Sequence, residues 1–149
     1  DCHRRHSIDF EERKIKKEYR AAITGELRND SLTIDLPLRT NGDRRHRTVV
    51  DQKSGKPSIT QINFLKIHNS NSVVSAFPKT GYTHQIRAHL AAINHPIIND
   101  ALYNPRQIGN QNYPPRLILH AYKITLSHPF NQQPMEIIAP IPPELSFLD

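Results

Sequence analysis

Leu32, Ile34, Leu36 and Leu38 alternate with Thr33, Asp35 and Pro37, a period of two that predicts a half-buried strand over residues 32–38. Pro37 has no N–H to donate, so it marks an edge or the end of that strand. Short runs of apolar and β-branched residues predict five further strands, over 17–24, 60–67, 73–77, 117–126 and 135–139. The polar Asn69-Ser70-Asn71-Ser72 joins the second and third of these, and a turn over 128–134 joins the last two. Residues 83–94 carry the clearest helical pattern. Ile86, Leu90 and Ile93 fall at i, i+4 and i+7 on one stripe, Thr83 offers a capping hydroxyl, and Pro96 stops the helix. Ile8 and Phe10, set among charges, suggest a short helix within 4–14. Nine of the twelve prolines lie from Pro96 onward, which argues against long helices there. The pattern as a whole predicts an α+β fold, a largely antiparallel mixed sheet with a few short helices.

Composition narrows this picture. A length of 149 residues fits one domain, yet only 36% are hydrophobic and none is Trp. That is thin for a self-sufficient core and suits a piece that packs against more protein. No apolar run approaches the ~20 residues of a membrane span, and Asp1-Cys2-His3-Arg4-Arg5 does not open like a secretory signal. The single cysteine, Cys2, excludes a disulfide framework within the chain and makes the cytoplasm the simplest compartment. Net charge is +6, a balance that favours polyanions through counterion release. Six of the cations (Arg39, Arg44, Arg45, Arg47, Lys53 and Lys56) crowd residues 39–56 against Asp43 and Asp51. They form either a solvated loop or a loop that grips phosphate.

The segment richest in chemistry is Lys79-Thr80-Gly81-Tyr82-Thr83-His84-Gln85-Ile86-Arg87-Ala88-His89-Leu90. A helix opening straight after a Gly turn presents unpaired N–H groups and the positive end of its dipole, which suits an anion. Its apolar stripe would hold Arg87 at the border of buried and open surface. There a guanidinium pairs bidentately with a carboxylate, or with phosphate; an ordinary surface cation fits the same position. His84 and His89 read as capping and surface residues. With His95 they are spaced by five and six, which scatters them around a helix, so no metal site is expected.

The stretch Gly81-Tyr82-Thr83-His84-Gln85-Ile86-Arg87-Ala88-His89-Leu90, followed by His95-Pro96-Ile97-Ile98-Asn99-Asp100-Ala101-Leu102-Tyr103, closely resembles the signature of the RluA-type RNA pseudouridine synthases. Lys17-Glu18-Tyr19-Arg20-Ala21 and Arg116-Leu117-Ile118-Leu119-His120-Ala121 resemble two further blocks of that family in the same order. The resemblance implies isomerisation of uridine to pseudouridine in structured RNA, ribosomal more often than transfer RNA, with neither metal nor organic cofactor. By position, Tyr19 matches the tyrosine that lies against the target base and Arg87 the arginine that pairs with the catalytic aspartate. Leu119 matches an apolar residue of the uracil pocket. His84 and Gln85 take supporting roles, and Lys17, Arg44 and Arg45 complete the expected RNA contacts. Two positions depart from the pattern: Tyr82 stands where the family has Arg, and Asn99 where it has Gly.

The Arg-Leu-Asp-x-x-Thr-Ser-Gly motif that carries the family's nucleophile does not occur in the sequence, and Asp1 and Asp9 have the wrong neighbours. The expectation is a partial catalytic domain over 1–149, lacking the amino-terminal part with that motif and inactive alone. The alternative is a non-catalytic RNA-binding remnant. A basic domain binding DNA or ribosomal protein is a further rival.

Overall fold

The computed structural model describes residues 15–149; the helix expected within 4–14 lies outside them. Eight strands follow in chain order: β1 (Lys16–Ile23), β2 (Ser31–Asp35), β3 (Leu38–Arg39), β4 (Val49–Val50), β5 (Ile59–His68), β6 (Asn71–Pro78), β7 (Leu119–Ser127) and β8 (Pro134–Ile138). One α-helix, α1 (Gln85–Ala92), lies between β6 and β7, and 3₁₀ turns occupy Pro105–Gln107 and Pro143–Leu148. Six strands form one sheet in the order β2-β5-β6-β1-β7-β8, and β3 pairs with β4 alone. Every ladder is antiparallel, as the alternating pattern leads one to expect.

The strand predicted over 32–38 divides at Pro37. Residues 31–35 pair with β5, and Leu38 turns away to β4 and Lys56. Proline breaks the donor pattern, and its carbonyl instead accepts from Asp51 N at 3.0 Å, tying the basic loop to the sheet's edge. The β5–β6 hairpin turns on Asn69 (φ 48°) and Ser70 (φ 60°), two residues in the left-handed region as a tight primed turn demands.

Ala21 and Ala22 are both 0% exposed, as are Val73 and Val74. Successive strand residues point to opposite faces, so both faces of the sheet are covered along β1 and β6. The helix packs on β5 and β6 through Ile86 and Leu90, and the last 3₁₀ turn packs on β1 and β6. Ile97 and Ile98 are pinned beside β1 through Ile98 N to Ala22 O (2.9 Å). This places the residues after α1 at a fixed distance from the middle of β1.

The helix is shorter than the pattern predicts. Its N-cap is His84, held at φ 55° with no side-chain cap, and not Thr83. Thr83 instead gives its carbonyl to the Thr48 hydroxyl at 2.6 Å. At the other end Asn94 adopts φ 63°, with Asn94 N bonded to Ala91 O and His95 N to Leu90 O, which is the Schellman pattern. The chain therefore turns before Pro96 is reached.

Candidate functional site

Antiparallel pairing sets Tyr19 opposite Ala76 on β6 and Ala121 on β7. Both neighbours are small, which leaves the face of β1 open at this point. The β1–β7 register slips between Glu18 and Tyr19, and bulges of this kind re-aim side chains. Lys17 and Tyr19, two apart on one strand, border the same hollow. Leu117 and Leu119 enter from the β7 side, and Gly81, Tyr82, His84, Gln85 and Arg87 from the start of α1. The hollow is a cleft of about 340 Å³, in the range of small-molecule sites. It gathers Lys17, Tyr19, His84, Gln85, Arg87 and Leu119 from three elements far apart in sequence.

Arg87 is fixed on one edge. Its Nε donates to Asp100 Oδ2 and its Nη2 to Asp100 Oδ1, both at 2.8 Å. Asp100 is fully buried, and its Oδ1 also accepts from the backbone N–H groups of Leu102 (3.0 Å) and Tyr103 (3.1 Å). Burial opposes the charge on Asp100, yet the Arg87 guanidinium and these two N–H donors outweigh it and hold the carboxyl below the usual carboxylate value. The same carboxylate raises the pKa of Arg87. The Tyr103 ring lies 5.1 Å from the Arg87 guanidinium and 5.8 Å from that of Arg47. Its hydroxyl meets the backbone of Thr48 and His84 Nδ1 (3.3 Å). Desolvation first, and the nearby Arg87 charge second, push the His84 pKa below its ordinary value.

The carboxylate partner of Arg87 among the described residues is thus Asp100 of the chain itself, while the Arg87 Nη1 makes no hydrogen bond among them. Sequence reasoning missed Asp100 and Tyr103 as functional neighbours although both sit in the 95–103 stretch of the signature. The available signal was their spacing: an acid three residues before a tyrosine, just after a tight turn. Asn99 takes φ 57° in that turn, so asparagine supplies the left-handed geometry that glycine would.

Gln85 and His89 are braces. Gln85 Oε1 accepts from Thr80 Oγ1 (2.7 Å) and Tyr82 N (3.2 Å), and its Nε2 donates to Ile59 O and Thr60 Oγ1, both at 3.0 Å. All its polar capacity is spent holding the 80–82 turn. His89, expected at the surface, is 0% exposed. Thr60 Oγ1 lies 2.8 Å from its Nδ1, and Leu36 O lies 2.9 Å from its Nε2. The Leu36 carbonyl can only accept, so His89 carries its proton on Nε2, and the Thr60 hydroxyl donates to Nδ1 while accepting from Gln85. Burial lowers its pKa, in keeping with that neutral form. The helix stripe is polar at this point because β5 presents a hydroxyl and not an alkyl group.

Of the basic stretch, Arg47 and Arg39 are engaged within the chain. Arg47 pairs with Asp43 (2.7 Å) and Leu102 O (3.1 Å), and Arg39 with Asp51 (2.6 Å). Arg44 and Arg45 are exposed, stand outside the cleft lining, and have no ion pair among the described residues. Thr48, at the loop's end, is buried and stitched to Thr83 and Tyr103, so the loop is anchored beside the start of α1. His84, His89 and His95 each face a different partner. Among the described residues no three His, Cys, Asp or Glu side chains converge as metal ligands, and no helix is long and apolar enough to cross a membrane.

The chain as a whole is similar to known proteins. A dual-specificity RNA pseudouridine synthase RluA of Haemophilus influenzae is 36% identical over 127 residues, covering 85% of this chain and 57% of that protein. A ribosomal large subunit pseudouridine synthase C of Buchnera aphidicola is 38% identical over 135 residues, covering 87% and 43%. The chain therefore spans about half the length of these curated relatives. Among solved structures, human RNA pseudouridylate synthase domain containing 1 aligns with a TM-score of 0.75 at 30% identity, covering 96% of this chain and 61% of that one. Human RNA pseudouridylate synthase domain containing 4 aligns with a TM-score of 0.73 at 19% identity, a likeness of fold. Residues 1–92, more than half of the chain, match the RNA pseudouridylate synthase family, and with these relatives that match means the chain belongs to it.

Proposed function

We propose that this chain is the carboxy-terminal part of a catalytic domain that isomerises uridine to pseudouridine in structured RNA. The observation that carries the reading is the convergence of Tyr19, Leu119 and Arg87 on one cleft of about 340 Å³. In this reading the target uridine is extruded into the cleft, with Tyr19 against the base and Leu119 along its edge. An aspartate carboxylate attacks the ribose C1′ as the glycosidic carbon–nitrogen bond breaks. The freed uracil turns, its C5 bonds to C1′ as the aspartate leaves, and the C5 proton is released while N1 takes one up. Arg87, one edge held by Asp100, offers its free Nη1 to orient that aspartate. Lys17, Arg44 and Arg45 neutralise phosphate. Ribosomal RNA is the preferred substrate class, a choice supported by the ribosomal target in the name of a relative, and the cytoplasm is the proposed compartment.

No carboxylate lines the cleft among the described residues, and the sequence has no Arg-Leu-Asp-x-x-Thr-Ser-Gly motif. The expected outcome of a tritium-release assay on RNA containing 5-tritiated uridine is no turnover by this chain. Turnover should appear when a segment bearing that motif is joined to it, and vanish again on Arg87→Ala. Release by the chain alone would refute the requirement for an added aspartate. The same absence favours a second reading, a non-catalytic RNA-binding module, which predicts RNA binding but no turnover even after the segment is restored.

A further inference from the structure

Tyr82 lines the cleft but has no task in the proposed reaction. Its ring is half-buried and lines two cavities at once, the main cleft and a recess of about 70 Å³ bounded by Leu38, Arg39, Thr40, Ser54 and Lys56. It therefore stands at the rim between the cleft and the basic loop. Its hydroxyl makes no hydrogen bond among the described residues, although its own backbone N–H is held by Gln85 at 3.2 Å. The ring is thus positioned by the backbone and offers a free aromatic surface. One ammonium group stands over it, and a second, that of Lys17, borders the same cleft beside Gly81. Lys56 Nζ lies 5.9 Å from the ring centroid, at the outer limit of a cation–π contact. Lys17 Nζ lies 3.2 Å from where a Cβ on Gly81 would stand.

An aromatic face beside a basic groove is the arrangement by which proteins seat an unpaired nucleobase and the phosphates next to it. A nucleotide whose base entered the cleft would have to pass its neighbour across this rim. We infer that Tyr82 is a stacking platform for the nucleobase adjacent to the target uridine, with Lys56 swinging from the ring to that nucleotide's phosphate. Arginine in this position would supply charge; tyrosine supplies a sequence-tolerant π-face, and Lys56 keeps the charge close by. The inference rests on the reading of the cleft as a uridine site.

The test is fluorescence anisotropy at one fixed salt concentration, using a stem-loop RNA with a single loop uridine. The RNA is made with normal flanking nucleotides or with an abasic nucleotide 5′ or 3′ of the uridine. Tyr82→Ala should weaken binding of the intact RNA at least about fivefold, since stacking is worth ~1–3 kcal/mol per base. It should cost nothing further on one of the two abasic RNAs, and Tyr82→Phe should bind like the unaltered protein. Lys56→Ala should weaken binding of all three RNAs alike and flatten the salt dependence. Equal losses for Tyr82→Ala on all three RNAs, or no loss on any, would overturn the platform while leaving the RNA reading intact. No binding of any RNA by the unaltered protein would overturn the RNA reading and the platform with it.

Discussion

Two arginine-bearing regions flank the start of α1, and they are built on opposite principles. Arg87 is clamped along one edge by a carboxylate that no water reaches, and a tyrosine ring lies 5.1 Å away. Arg44 and Arg45 project from a loop in which Asp43 pairs with Arg47 and Asp51 with Arg39, leaving neither acid for them. The first guanidinium has a direction before any ligand arrives; the second pair has charge without direction. Preorganisation is what a reacting group requires, because ordering it during the reaction would cost free energy. Attraction to a phosphate backbone requires only proximity and charge. If the first orients a reacting group and the second meets phosphate, as proposed, one residue type serves two purposes, and what separates them is a buried acid.

Removing that distinction should produce the largest effect. Arg87→Met would leave Asp100 buried with two N–H donors but no countercharge, and should destabilise the fold by about 3–5 kcal/mol, as breaking a buried pair does. Urea unfolding measures it. Asp100→Asn, which keeps an oxygen for Leu102 N and Tyr103 N, should cost less. The double variant should cost less than the sum, because the charges compensate each other. If Arg87→Met left the unfolding midpoint unchanged, the clamp would be an ornament. The pair also has a pH signature. The Asp100 pKa is lowered in the folded state, so its contribution is present above the ordinary carboxylate value and is lost as pH falls through the folded value.

The braces come next. His89→Ala would leave the Leu36 carbonyl and the Thr60 O–H donor without their partner, while the Thr60 oxygen keeps its bond from Gln85, at about 1–3 kcal/mol for each such group. His84 and His89 both have lowered pKa values. In the range just below the ordinary histidine value the unfolded chain therefore binds more protons than the folded one. Stability should fall as pH drops through that range, and it is retained at pH 7 and above. Thermal melts between pH 7.5 and 5 would reveal the slope. His89→Gln, which does not titrate, should flatten it; an unchanged slope would locate the proton uptake elsewhere.

The strands and the cleft were legible to different degrees, and the reasons are physical. Leu32, Ile34 and the runs in β5 and β6 announce strands because a period of two has no other use. The division at Pro37 was visible as a missing donor, but where the chain went next depended on Asp51 reaching back to the Pro37 carbonyl, a contact between residues fourteen apart. Lys17, Tyr19, Arg87 and Leu119 could be named together only through resemblance to a family, since periodicity alone cannot tell that β1, β7 and α1 face one hollow. His89 escaped for a further reason. A histidine on a helix reads as polar surface unless one knows that Thr60 faces it across the core.

The smallest effect on stability belongs to the exposed loop, and it sharpens the comparison most. Arg44→Ala and Arg45→Ala break no ion pair and open no cavity among the described residues, so the unfolding midpoint should not move measurably. If they meet phosphates, the double variant should lower RNA affinity for every sequence alike. The slope of log affinity against log salt should shrink by about 0.7–0.9 for each phosphate no longer neutralised. Arg87→Ala should behave in the opposite way, changing stability and turnover with little effect on that slope, because its charge is already neutralised by Asp100. A reduction of the slope by Arg87→Ala, equal to that from the loop, would mean that the clamped arginine also meets phosphate. The division between directed and undirected charge would then dissolve.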